Sequence, residues 1–263
     1  MLRPMNDSAT RMPALFVGHG SPMNALEDNA FTRGWQDAAA RMPKPRAIVC
    51  VSAHWETHGV YVGATPTPET IHDFYGFPRP LFDVRYPAPG DPALARRIVQ
   101  MVKGVALRAD PGRGLDHGAW SVLRLMYPRA DVPVLQLSLD TSQPGAFHAA
   151  LAGELTALRD EGVLILGSGN TVHNLREFSF RDPTPLPWAE RADAVIRARI
   201  AAGDVAALAD WQGLGPDVLR GIAGPEHWLP LVYVLAQRQA GETIRIFNER
   251  VIGSIAMTCV AVG

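Results

Sequence analysis

The stretch Ala47-Ile48-Val49-Cys50-Val51-Ser52-Ala53-His54-Trp55 is apolar without alternation until it reaches a serine, and then presents a histidine. A strand with one wet face alternates; an unbroken apolar run suits a strand covered on both faces, as in a parallel sheet between helices. Runs of the same kind occur at Ala14 to Gly18, Val60 to Ala64, Val132 to Leu139 and Val163 to Leu166, with a weaker one at Val105 to Ala109.

Segments of helical period lie between these runs. Pro92 to Val102 opens with Asp91 as a cap and Pro92 at the first position. Pro144 to Asp160 carries Phe147, Leu151, Leu155 and Leu158 at helical spacing and stops at Gly162, Trp188 to Ile200 repeats the pattern, and Leu229 to Gln239 starts on Pro230. Thr243 to Val262 reads instead as two strands joined near Asn248 to Gly253. The expected fold is one three-layer α/β domain over residues 1–263, a mainly parallel sheet with helices on both faces and a C-terminal antiparallel hairpin. Thr65 to Gly90 breaks the alternation: it holds Pro66, Pro68, Pro78, Pro80, Pro87 and Pro89 among Phe74, Tyr75, Phe77, Phe82 and Tyr86. Such a segment cannot be regular structure and is expected to form a binding-site wall or lid.

Composition narrows the functional classes. With 263 residues, 47% hydrophobic and 19% charged, the chain is long and apolar enough to build a large core without a disulfide or structural metal, so any metal it holds would serve chemistry. A net charge of −1 without blocks of like charge argues against nucleic acid and against an anionic membrane as partners. Met1 to Met12 is polar, and Ala14 to Val17 is too short for a signal-peptide core or a membrane span. Cys50 and Cys259 each sit in an apolar run and read as buried free thiols of a reducing compartment, so the expected location is the cytoplasm. Lys44 and Lys103 are the only lysines; neither follows a glycine-rich loop, and neither has the apolar setting of a Schiff-base lysine.

The histidines carry the functional signal. Five of the eight fall in short contexts marked by small residues or proline: Gly18-His19-Gly20-Ser21-Pro22, Ser52-Ala53-His54-Trp55, Asp116-His117-Gly118, Thr171-Val172-His173-Asn174 and Pro225-Glu226-His227-Trp228. His19, His54 and His173 follow predicted strands, the last through the turn Gly167-Ser168-Gly169. An open α/β sheet gathers ligands at that edge, so parallel neighbours would bring three imidazoles together. Neutral imidazole is the commonest ligand of zinc and ferrous iron, and three or four around one point leave room for water or substrate. Taken singly, a histidine after a strand is more often a hydrogen-bonded loop residue. His58 and His148 have no such partnership and read as solvated or structural, and His72, in the aromatic loop, as a second-tier substrate contact.

Other chemistries lack their spacing. There is no Gly-x-Ser-x-Gly elbow around Ser21 or Ser168 and no His-Glu-x-x-His, and His54-Trp55-Glu56 is not followed by the Cys-x-x-Cys of a zinc deaminase. Gly112-Arg113-Gly114 and Gly167-Ser168-Gly169 do not continue as dinucleotide fingerprints.

The five histidine motifs, in this order and with Leu115-Asp116-His117-Gly118-Ala119-Trp120, Gly167-Ser168-Gly169-Asn170 and Leu229-Pro230-Leu231 around them, resemble the class III extradiol ring-cleaving dioxygenases, in the 4,5-DOPA extradiol dioxygenase branch. The resemblance runs from about residue 12 to the C-terminus. It implies one metal at the sheet edge with His19, His54 and His227 as ligands, and His173 as a fourth ligand or as the acid/base beside it. His117 matches a histidine near substrate and is the second candidate for proton transfer. The usual ring-cleaving iron site has two histidines and one carboxylate; here the last position offers Glu226 and His227, and His227 is chosen. Ferrous iron is the metal implied for catalysis, with zinc acceptable to an all-histidine set in purified protein. The implied substrates are a small aromatic diol, DOPA-like, and O2, with Phe74, Tyr75 and Phe77 expected to stack on the ring. The competing reading is a zinc hydrolase that uses the same histidines to activate water.

Overall fold

The computed structural model describes residues 11–263; of the polar stretch Met1 to Met12, all but Arg11 and Met12 lie outside the described residues. Ten strands are present: β1 (Ala14–Gly18), β2 (Ala47–Glu56), β3 (Val60–Gly63), β4 (Leu107–Asp110), β5 (Val134–Leu139), β6 (Val163–Gly169), β7 (Ile244–Phe247), β8 (Val251–Ile252), β9 (Ile255–Ala256) and β10 (Cys259–Val262). The helices are α1 (Ala30–Ala40), α2 (Arg79–Phe82), α3 (Pro92–Met101), α4 (His117–Met126), α5 (Gly145–Glu154), α6 (Ala157–Asp160), α7 (Pro187–Ala202), α8 (Val205–Ala209), α9 (Pro216–Gly221) and α10 (Leu229–Leu235).

Eight strands form one sheet in the order β4-β3-β5-β2-β6-β1-β10-β7. Its centre, β5-β2-β6-β1, is parallel throughout. Alternate residues of each central strand enter different cores. Phe16, Val49, Val51 and Ile165 pack with α3, α5, α7 and α10 on one face, while Leu15, Val17, Ile48, Cys50, Leu164 and Leu166 pack with α1 and α4 on the other. Both faces are dry, which is why the strands read as unbroken apolar runs. Cys50 and Cys259 are buried and unpaired, as expected.

The C-terminal hairpin is present, with β7 and β10 antiparallel and β10 antiparallel to β1. Its connection carries a second small hairpin, β8–β9, that forms a separate two-stranded sheet. An additional antiparallel contact occurs where β3 meets β5, because the chain reverses at Gly59, whose φ of 80° suits glycine.

The helices differ from expectation in several places, and one short helix, α2, forms within Thr65 to Gly90, where no regular structure is expected, because Pro80 suits a first helical turn. The segment from Pro144 to Asp160 is divided: around Gly153 and Thr156 the bonds tighten to the third residue, and α6 starts afresh. The helix expected to run to Gln239 stops at Leu235, and Gln237 turns inward to donate to Ala152 O. The helices α1 and α4 are additional to those expected; both are amphipathic, and each is capped, Asn29 accepting from Phe31 and Thr32 and Asp116 accepting from Ala119. Among the described residues no helix is long and apolar enough to cross a membrane.

Candidate active site

Strand β6 lies between β1 and β2, and Val17 and Ser52 both stand opposite its Ser168. This common level sets where the histidines emerge. His19 directly follows β1, whereas His54 lies within β2, two residues before its end, rather than past it. His173 sits on the segment after β6, its N–H donating to Gly221 O, and His117 is the first residue of α4. His227 precedes α10 and reaches the site because its backbone crosses Gly169, where a side chain would collide with His227 O. Asn170 N–H then donates to His227 O. Gly20, with φ of 60° and Met257 packed against it, lets the chain turn sharply after His19.

Five histidines converge. The rings of His19, His54 and His227 form a triangle with all three centroid separations 5.1 Å, and each offers a nitrogen within 4.8 Å of the others. His117 stacks obliquely on His54 at 4.0 Å. The ring of His173 lies 3.5 Å from that of His227 and nearly parallel to it, and its nitrogen is grouped with Glu226 and His227. His58 is exposed. His148 is buried elsewhere, with Nδ1 at Tyr233 Oη and Nε2 at Asp140 O. His72 staples the loop internally, its Nε2 bonded to Val84 O and its ring against Phe74, Phe82 and Trp120.

The hydrogen bonds determine the form of His19. Ser168 Oγ donates its one proton to Gly118 O at 2.6 Å, so toward His19 Nδ1, 2.9 Å away, it can only accept. Nδ1 therefore carries the ring proton and Nε2 is a bare lone pair. That lone pair faces His54 Nε2 at 3.2 Å, a separation that requires a proton or a cation between them. Two nitrogens bound to one ion at about 2.1 Å and near-tetrahedral angles stand about 3.4 Å apart. The Nδ1 of His227 is buried without a hydrogen-bond partner. A bare nitrogen on His19, an unpartnered one on His227 and three rings that each offer a nitrogen within 4.8 Å of the others fit a divalent transition metal.

Electrostatics agrees. Burial, reinforced by the neighbouring imidazoles, holds His19 and His227 well below the ordinary histidine range. Burial likewise lowers His54 and His173 to about 4. All four are neutral at pH 7, the form that binds metal. Burial and the Glu56 charge push the Glu226 carboxyl up.

The aromatic loop supplies one side of the site. Phe74 meets His117 edge-on at 5.6 Å and packs with Phe77 at 5.3 Å and Phe82 at 5.1 Å. Tyr75 does not join them: it is 92% exposed, on the outside of the bend at Gly76, so the expected stacking role falls to Phe74 and Phe77. Asp73 had no part in the expectation drawn from sequence. Its Oδ1 accepts the His117 N–H at 2.9 Å and stands 3.0 Å from His117 Nδ1, and its Oδ2 is 3.8 Å from His54 Nδ1.

A mainly parallel α/β sheet with an all-imidazole cluster at its C-terminal edge and an aromatic wall defines a metal-dependent enzyme of aromatic substrates. The family described as the catalytic LigB subunit of aromatic ring-opening dioxygenase matches residues 13–251, and the chain belongs to it. It is 48% identical to the 4,5-DOPA dioxygenase extradiol of Escherichia coli K12, covering 97% of this chain and 96% of that protein. It is 38% identical to the 4,5-DOPA dioxygenase extradiol of Beta vulgaris, covering 86% of each. The crystal structure of an uncharacterized Escherichia coli K12 protein superposes with a TM-score of 0.84 at 42% identity, covering 96% of this chain and all of that one. The chain is thus an extradiol ring-opening dioxygenase by family.

Proposed function

We propose that the whole chain, residues 1–263, acts as one cytoplasmic dioxygenase domain that opens the ring of a DOPA-like catechol with O2, using ferrous iron held by His19, His54 and His227. The observation that carries the metal assignment is the pair of facing Nε2 atoms of His19 and His54, 3.2 Å apart, with His19 committed to its Nδ1–H form by Ser168. Ferrous iron held by these residues would supply a Lewis acid for the catechol oxygens and the electron transfer to O2 that redox-inert zinc cannot.

The protein's own residues account for the rest. His173 is the proton acceptor: it is neutral at pH 7, and its nearly parallel stack on His227 leaves it beside the triangle rather than at its third corner. The alternative of a fourth ligand is less well supported, since its nitrogen groups with Glu226 and His227. His117, stacked on His54 and touching Phe74, lies where it can accept a proton or hydrogen bond from bound substrate. Phe74 and Phe77 present an apolar wall that holds an aromatic ring and excludes water. Family membership favours this reading over hydrolysis by the same histidines with zinc.

The test is anaerobic reconstitution of chelated protein with ferrous iron or with zinc, then DOPA or simple catechols with O2, recording oxygen uptake and visible absorbance. Uptake with iron alone and a yellow ring-opened product is the expected outcome. Absence of uptake across several catechols with metal bound rejects it in favour of the hydrolase.

A further inference from the structure

Segment 69–73 of the proline-rich loop is laced to the start of α4. Leu115 N–H donates to Glu69 O, Ile71 N–H to Leu115 O, and Trp120 Nε1 to Ile71 O at 2.8 Å. The lacing delivers one carboxylate, Asp73, to the back of two site histidines. Oδ1 accepts the backbone N–H of His117 at 2.9 Å and stands 3.0 Å from its Nδ1, and Oδ2 stands 3.8 Å from His54 Nδ1. The side chain is 24% exposed and has no arginine or lysine ion pair among the described residues, so its charge acts on the two rings.

We propose that Asp73 is a positioning residue that holds the ring proton of His117, and that of His54, on Nδ1. The physical reason is direct. His117 Nδ1 makes no aligned hydrogen bond, so the effect is one of charge at 3.0 Å: a bare lone pair beside the carboxylate is repelled and an N–H there attracted, which favours the proton on the side of Asp73 and leaves Nε2 free toward the site. For His54 the effect is the weaker one of a charge at 3.8 Å, and it has an opponent. The bare Nε2 of His19, 3.2 Å from His54 Nε2, would draw the His54 proton to that side and block the metal position. Asp73 shifts that balance toward the metal-binding form. The aromatic loop would then control metal retention through a residue that does not touch the metal.

This inference rests on His54 holding the metal, as proposed above. The test uses full-length protein labelled with 15N-histidine and loaded with diamagnetic zinc. Long-range 1H–15N spectra report which ring nitrogen carries the proton, and competition with a chelator gives zinc affinity. In Asp73→Ala, which removes both oxygens, zinc affinity is expected to fall about tenfold or more and the Nδ1–H signature of His117 to be lost; Asp73→Asn, whose retained Oδ1 still faces His117 Nδ1, is expected to lose zinc affinity through the lost charge while keeping that signature. Asp73→Glu is expected to recover part of both. Either readout remaining at its wild-type value in a folded Asp73→Ala, or wild-type zinc affinity in Asp73→Asn, overturns the proposal. Should Asp73→Ala misfold, the zinc affinity of Asp73→Asn decides alone. His54→Ala is measured alongside: unchanged zinc affinity there rejects the metal assignment itself, whereas weakened His54→Ala with unchanged Asp73→Asn rejects only the role of Asp73.

Discussion

His148 on α5 and His19 at the end of β1 are both fully enclosed, at 0% and 1% exposure, yet their surroundings differ in kind. His148 has a partner for each nitrogen, Tyr233 Oη and Asp140 O, so its burial is complete as it stands. His19 has a partner for Nδ1 only, and its Nε2 meets another imidazole nitrogen head-on. A buried polar atom left without a satisfying partner costs about 1–3 kcal/mol. The first arrangement is how a core accommodates histidine; the second is tolerated where something else is meant to occupy the gap. Burial alone therefore does not separate structural from functional histidine, while the accounting of ring nitrogens does.

The largest test of this contrast is His54→Ala, which removes one of the facing nitrogens. Metal content should fall toward zero, and oxygen uptake with catechol should drop to below about one-thousandth, read by elemental analysis and an oxygen electrode on the same sample. His173→Ala is expected to lower turnover about 10²–10⁴-fold, the usual range for a lost general base, while most of the metal is retained. Metal loss equal to that of His54→Ala would make His173 a ligand.

Acid should act on both classes of buried histidine, and the sign follows from burial. Folded His148 titrates at about 4 against an ordinary 6.5, so the unfolded chain takes up its proton first as pH falls. The stability contributed by the neutral buried ring is complete above pH 6.5 and declines between 6.5 and 4, by up to about 3 kcal/mol for this one group. His148→Gln should therefore show a shallower fall in stability over that window, measured by urea unfolding of chelated protein at stepped pH. Equal slopes in the two proteins would remove His148 from the acid response. The smallest expected effect closes the contrast: His148→Ala should leave activity per folded molecule within about twofold, since neither nitrogen serves the site. An inactive but folded and metal-loaded His148→Ala would break the distinction.

The central strands were legible because of a simple physical fact: a strand dry on both faces is apolar position after position, and Ala14–Gly18, the first part of Ala47–Glu56 and the run from Val163 to Gly167 are. The helices α1 and α4 were not, although both are amphipathic. Their ends are fixed by tertiary contacts: Asp116, the cap of α4, binds neighbouring Arg113 and, from distant segments, Ser52 and Gln136. Likewise, Ser168 lacks the flanking pattern of a nucleophile; its hydroxyl instead fixes the proton of His19 from 149 residues away.

What the sequence by itself determined is the set of groups and the edge they share, since histidines written after parallel strands emerge at one end of the sheet whatever the details of packing. The tertiary structure alone decided which nitrogens face one another, that His227 enters across Gly169, that Tyr75 points away, and that Asp73 stands behind His54 and His117. These are matters of a few ångströms between segments far apart in the chain. Local patterns of polarity carry no information about such distances, because they are set jointly by both cores and by the loops that cross the sheet edge.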